Sequence, residues 1–252
     1  MQCAILLYSI EEDIPFMPAK SAKKSTTAAV KKSTTAAAKK LTTAGIVAEL
    51  RQKIATQTLL PGAHIPEEEI ALTYDIPRAK AREALATLED RGLIVRIPNK
   101  GAVIASVDMA STYHLYEIRE VLDGLAVRLA TLNTTAEQWR DIEAQFGAPF
   151  EASLESGDID SHIATIETFR RRIKEAANNP VLSDMIDRLH DRTAVTIRRV
   201  ALLPGRAQEG VKQYRAIMAA IVQGNADEAE ACARALNRSA REYIERYKNF
   251  VF

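Results

Sequence analysis

The chain has 252 residues, of which 47% are hydrophobic and 27% charged, and its 34 basic and 33 acidic side chains leave a formal charge of +1. These are globular values that exclude wholesale disorder, and so small a net charge means that any nucleic-acid partner must be argued from where the charge sits. The two cysteines, Cys3 and Cys232, stand in no CxxC pair and fit a reducing cytoplasm, while no apolar run approaches the roughly eighteen residues of a membrane helix. Aromatics at 6%, with abundant Ala, Leu, Glu and Arg later in the chain, favour helices over sheets.

Residues 20–40 carry seven lysines and no acid, in a period of eight: KKSTTAAV from Lys23, KKSTTAAA from Lys31 and KKLTTAGI from Lys39. So little apolar surface cannot offset the entropy of ordering, which predicts a disordered basic tail over 1–40. It either attracts DNA phosphates without sequence preference or is a solvated extension.

A first folded unit is expected over 41–107. Ile46, Val47, Leu50 and Ile54 recur at helical spacing up to the turn signal Leu60-Pro61-Gly62. Three acids after Pro66 open a short helix, Glu67 to Tyr74, where they suit the positive end of the helix dipole. After Asp75-Ile76-Pro77, a third helix from Arg78 to Arg91 gathers Ala81, Ala84, Leu85 and Leu88 on one side and stops at Gly92. Leu93 to Ile97 and Ala102 to Ala105, around Pro98-Asn99-Lys100-Gly101, read as a hairpin. Three helices closed by a hairpin are the order of a winged helix-turn-helix, whose third helix enters the DNA major groove. Residues 76–101 hold six basic residues against three acids. Arg78 and Arg82 share a helical face, Lys80 points elsewhere toward a phosphate, Arg96 lies on the hairpin, and Lys100 with Gly101 marks the wing tip.

Residues Ile46 through Ala105 resemble the DNA-binding domain of the GntR family of bacterial transcription regulators. The resemblance rests on Leu60-Pro61-Gly62-Ala63-His64-Ile65-Pro66-Glu67, on Arg78 to Leu85 (RAKAREAL), and on Leu88-Glu89 and Gly92-Leu93-Ile94. It implies base or phosphate contact for Arg78 and Arg82 and minor-groove or backbone contact for Lys100 and Gly101. Pro77 stands where the family commonly has serine, and Glu68 where arginine is common, so the operator would differ accordingly.

Over 108–248, six amphipathic segments are expected, near 109–131, 135–156, 159–177, 181–202, 208–223 and 226–247, giving a mainly α protein with an all-α bundle of about six helices. Leu115, Ile118, Leu122, Leu125 and Leu129 form one expected core stripe, and Ile163, Ile166, Phe169 and Ile173 another. Tyr116-Glu117-Ile118-Arg119, Glu175 through Pro180 and Tyr214-Arg215-Ala216-Ile217 resemble landmarks of the FadR-type ligand-binding domain, and six helices suggest its VanR-like branch. Many members of that subfamily bind a divalent metal through one Asp and three His. At those positions the resemblance places Ile166, Arg170, Tyr214 and Leu236, so no metal or other cofactor is expected. The histidines at 64, 114, 162 and 190 show no metal-ligand spacing and read as ordinary helix or turn residues.

Arg170 sits on the apolar stripe of its helix, Arg119 flanks another, Tyr214 opens the stripe of a third, and Thr193 and Thr196 interrupt a fourth. A buried arginine needs a partner, and a guanidinium suits a carboxylate. These residues are therefore candidates to hold a small carboxylic acid against an apolar wall that an aromatic acid would also suit; the alternative is an internal salt bridge with Glu117, Glu120 or Glu167. The whole reading is a cytoplasmic, homodimeric regulator, a repressor in the family's commoner mode, on a palindromic operator. No phosphate loop, nucleophile elbow or HExxH motif supports an enzyme. An architectural or effector-independent DNA-binding protein, whose bundle only dimerises, is the competing class, and it predicts a steep salt dependence.

Overall fold

The computed structural model describes residues 41–251 apart from Val107; the lysine-rich tail lies outside the described residues. Helix α1, Thr43–Ala55, starts at Thr42, whose hydroxyl accepts from Gly45 N at 3.2 Å, and buries Ile46, Val47, Leu50 and Ile54. Helices α2, Glu67–Thr73, and α3, Arg78–Asp90, pack on it through Ile70, Ala81, Ala84, Leu85 and Leu88. Gly92, at φ 71°, ends α3: its N–H donates to Glu89 O at 2.8 Å and that of Leu93 to Leu88 O at 2.9 Å, the paired closure that a left-handed glycine permits.

Strands β1, Ile94–Ile97, and β2, Gly101–Ile104, pair antiparallel with Ile94 opposite Ile104. The hairpin has a third lane that periodicity did not predict. Gly62 N donates to Ile104 O, Ile104 N to Ala63 O and Ile65 N to Ala102 O, each at 2.9 Å, so the turn after α1 is laced to the wing. Its apolar content is too slight to read as a strand.

Helix α4, Met109–Asn133, opens the bundle, capped by Asp108, which accepts from Ser111 N at 2.7 Å. The expected second segment, 135–156, is broken: a 3-10 turn at Ala136–Trp139 leads into α5, Arg140–Gln145, and then α6, Ala148–Glu155. Gly147 and Pro149 interrupt it, and Phe146 and Phe150 turn inward to stack edge-on at 4.8 Å. Helix α7 is Ile159–Ala177, stopped by Asn178 at φ 49°; α8 is Pro180–Ala201, capped by Asn179; α9 is Arg206–Val222; α10 is Ala226–Arg246; a last turn, α11, is Lys248–Val251. Among the described residues no helix is long and apolar enough to cross a membrane.

The inner face of α4 is rotated from the expected leucine stripe. Leu115 of that stripe is buried, but Ile118 is 49% exposed and Leu122, Leu125 and Leu129 only flank the core, whereas Tyr116, Arg119, Ala126, Val127 and Ala130 are buried. A buried arginine does not register in a pattern of apolar residues, which shifts the stripe toward the leucines.

Helix α8 joins the two halves. The Asp191 carboxylate accepts from Arg51 Nε of α1 at 2.7 Å and from Arg91 Nη1, just after α3, at 2.8 Å. Arg188 pairs with Asp90 at 2.8 Å, and the Arg192 stem lies 3.3 Å from where a Cβ on Gly92 would stand.

Candidate DNA-reading face and bundle cavity

Arg78, Lys80 and Arg82 stand exposed in the first turns of α3, with side chains of Arg78 and Arg82 66% and 67% accessible. The acids that open α2 reach the two arginines. Arg78 pairs with Glu68, Arg82 Nε donates to both oxygens of Glu67 at 3.2 Å, and Arg96 on β1 pairs with Glu89 at 2.9 Å and lies 3.8 Å from Glu67. At the wing tip Lys100 is exposed between Asn99 at φ 64° and Gly101 at φ 75°. A Cβ on Gly101 would stand 3.2 Å from His64 Nε2, so glycine serves both the turn and the contact with the third lane.

In the bundle, α4, α7, α8, α9 and α10 surround a cavity in two adjoining lobes, of about 60 and 40 Å³. Ile166, Arg170, Tyr214 and Leu236 all line the first lobe, so the four positions that the resemblance assigns to metal ligands converge in space. They do not suit a metal: Ile166 and Leu236 have no donor atoms and Arg170 brings positive charge. Among the described residues no group of three or more His, Cys, Asp or Glu could hold one.

Arg119, Arg170, Tyr214, Leu236 and Asn237 line both lobes and form the waist between them. Arg119 is 3% exposed; its guanidinium covers the Tyr116 ring at 4.7 Å and donates to Thr193 Oγ1 at 3.5 Å and to Asp123 at 3.4 Å. Arg170 pairs with Glu167 at 2.8 Å, the internal salt bridge weighed above as the alternative. Thr193 meets the cavity only through Arg119, and Thr196 is buried outside its lining.

Four polar residues of this cavity had no sequence signal of their own. Asp123, one turn after Arg119, accepts from Asn237 Nδ2 at 3.1 Å and lies 3.2 Å from His190 Nε2. Burial would raise the Asp123 pKa, but His190, Arg119 and Arg170 around it hold it well below the carboxylate range. Burial outweighs the pull of Asp123 and lowers that of His190. His162, one turn before Ile166, stacks on Phe150 with ring centroids 4.3 Å apart, and burial, with the charge of Arg206 adding, pushes its pKa down to about 4. Arg206, at the start of α9, lines the first lobe beside it. Spacing from Arg119 and Ile166 could have placed Asp123 and His162; nothing comparable pointed to His190 or Arg206.

A winged helix-turn-helix with arginines on its third helix, docked on a helical bundle, defines a DNA-binding regulator. The description "Bacterial regulatory proteins, gntR family" matches residues 42–104 and "FCD domain" matches residues 114–239. The chain belongs to the GntR family of transcriptional regulators, in the group that carries an FCD domain. It is 24% identical over 198 residues to the HTH-type transcriptional regulator McbR of Escherichia coli, across 78% of this chain and 88% of that one. It is 30% identical over 132 residues to an uncharacterised HTH-type regulator from the TAR-I ttuE-ttuC' intergenic region of Agrobacterium vitis, across 51% of this chain and 76% of that one. The solved structure of E. coli McbR/YncC superposes with a TM-score of 0.70 at 22% identity over 81% of this chain and 98% of that chain, which shows a shared fold.

Proposed function

We propose that the protein is a cytoplasmic repressor of the VanR-like branch that binds a palindromic operator as a homodimer and releases it when a small carboxylic acid enters a metal-free cavity. Arg78, Arg82 and Lys80 engage bases and phosphates, with Arg96, Lys100 and Gly101 at the wing. Arg119, Arg170 and Tyr214 contact the acid, and Thr193 orients Arg119. The observation that carries this reading is the convergence of Ile166, Arg170, Tyr214 and Leu236 on one lobe of the cavity, where Arg119, Arg170 and Arg206 bring positive charge. The acid can shift DNA affinity only by its difference in affinity for the two states.

The test is thermal unfolding of the full chain with a panel of aliphatic and aromatic carboxylic acids, each with and without a chelator. Saturation at a hundred times Kd stabilises by about 2.7 kcal/mol, and one acid class should do so regardless of chelator and release bound DNA. Destabilisation by chelator alone would overturn the metal-free reading, and indifference to every acid would overturn the effector. Arg78→Ala and Arg82→Ala should each weaken DNA binding, a lost phosphate contact lowering the salt slope by about 0.9.

A further inference from the structure

Among the described residues, three buried side-chain atoms have no hydrogen-bond partner: Arg119 Nε, His162 Nδ1 and Arg206 Nε. They belong to three different helices, α4, α7 and α9, and all three side chains line the first lobe of the cavity. Orphaned polar atoms are costly one at a time, and three that converge on one space point to a partner that belongs there.

The charges locate that partner. Arg119 has Asp123 at 3.4 Å, Arg170 has Glu167 at 2.8 Å, and Lys174, at the second lobe, has Asp187. Arg206 is 8% exposed, yet no carboxylate of the described residues stands within ion-pairing distance; its contacts are the neutral Gln213 Oε1 at 3.2 Å and the Tyr243 ring at 5.6 Å. It is also the first residue of α9, a helix of 17 residues, where the dipole opposes a cation and favours an anion. Burial lowers its pKa, only partly offset by Tyr214, Tyr116, Tyr243 and Glu209.

We propose that Arg206 and His162, with Arg119 Nε as a further donor, seat the carboxylate of the effector, and that this effector is a short aliphatic monocarboxylate. The inference rests on the effector reading above and deepens it. A single charge follows from the pairing, since the other cations at the cavity already have acids. Small size is argued from the first lobe: a water needs roughly 10–15 Å³ of such space, so about 60 Å³ holds a compact head with a few further atoms. The tail passes the waist into the second lobe, whose walls are Ala126, Val127, Phe169, Ile173 and Ile186. Arg206 thus anchors the charge with Arg119 Nε beside it, while Arg170 and Tyr214 border the chain behind.

The test is thermal unfolding of the full chain with butyrate, succinate, benzoate and inorganic phosphate, on the wild type, Arg206→Gln and Arg170→Gln. Butyrate should stabilise the wild type more than the other three. Arg206→Gln should bind it about thirtyfold or more weakly while its ligand-free midpoint holds or rises, because a buried charge is removed; Arg170→Gln should lose less. Equal butyrate binding by wild type and Arg206→Gln, a greater loss at Arg170, or a preference for succinate or benzoate would overturn the seat or its ligand class and leave a carboxylate effector standing, whereas a preference for phosphate would overturn the carboxylate effector too. No response of the wild type to any acid would overturn the effector reading itself. Should Arg206→Gln not fold, titration of the wild-type histidine ring protons decides: butyrate should raise the His162 pKa, and an unchanged value would overturn the seat.

Discussion

Replacing Asp191 by asparagine tests whether the bundle holds the DNA-reading unit through one carboxylate. The substitution keeps the shape of the side chain and removes the charge that Arg51 and Arg91 meet at 2.7 and 2.8 Å. Breaking a wholly buried ion pair costs about 3–5 kcal/mol. Here the Asp191 side chain is 5% exposed, but those of Arg51 and Arg91 retain 35% and 24%, so water recovers part of the loss and about 2 kcal/mol remains. For a folded region of this size that is a fall of about 4–8 °C in Tm. Hydrogen exchange should show where the loss falls: amides of α1 and α3 lose protection, while α4 and α10, which pack together away from the junction, keep theirs. An unchanged Tm with unchanged exchange in α1 and α3 would refute the clamp.

Two further outcomes concern the acids of α2 and the histidine of the cavity. Glu67→Gln frees Arg82 and Arg96 from a competing carboxylate, so DNA affinity measured by fluorescence anisotropy should rise severalfold at low salt; an unchanged or weaker affinity would count against the arginines as the DNA-facing groups. The folded pKa of His162, about 4, lies below the unfolded value near 6.5, so the unfolded state binds the extra proton. Its contribution is complete above pH 6.5 and is lost as pH falls toward 4. His162→Phe, which keeps the stack on Phe150, should flatten stability over that window by up to about 3 kcal/mol, read from urea unfolding at each pH.

The DNA-reading unit was legible because its signals are local. Apolar spacing in α1 and α3, the acids opening α2 and the glycine after α3 each act within a turn or two of chain, and each lies where the spacing places it. The bundle was legible in outline but not in register. Periodicity counts apolar side chains, so it drew the α4 face through Ile118, which is exposed, and away from Arg119, which is buried. It also ran one helix through Gly147 and Pro149, where the chain instead folds two aromatics inward. The cavity was reached through positions, since Ile166, Arg170, Tyr214 and Leu236 do share one space. Its chemistry was not, because Asp123, His190, His162 and Arg206 matter only through what lies beside them in three dimensions.

Neighbouring residues on α8 face opposite tasks. His190 turns into the cavity toward Asp123, and the next residue, Asp191, turns out to the two arginines of the DNA-reading unit. Successive helical residues are about 100° and 1.5 Å apart and share a rigid peptide. A shaft with a cam on each side behaves in this way: a few degrees of turn that makes room beside His190 must swing the Asp191 carboxylate against its arginines, with no intervening chain of contacts. The play in that joint, rather than the distance between cavity and wing, then sets how much of a displacement at His190 reaches α1 and the end of α3.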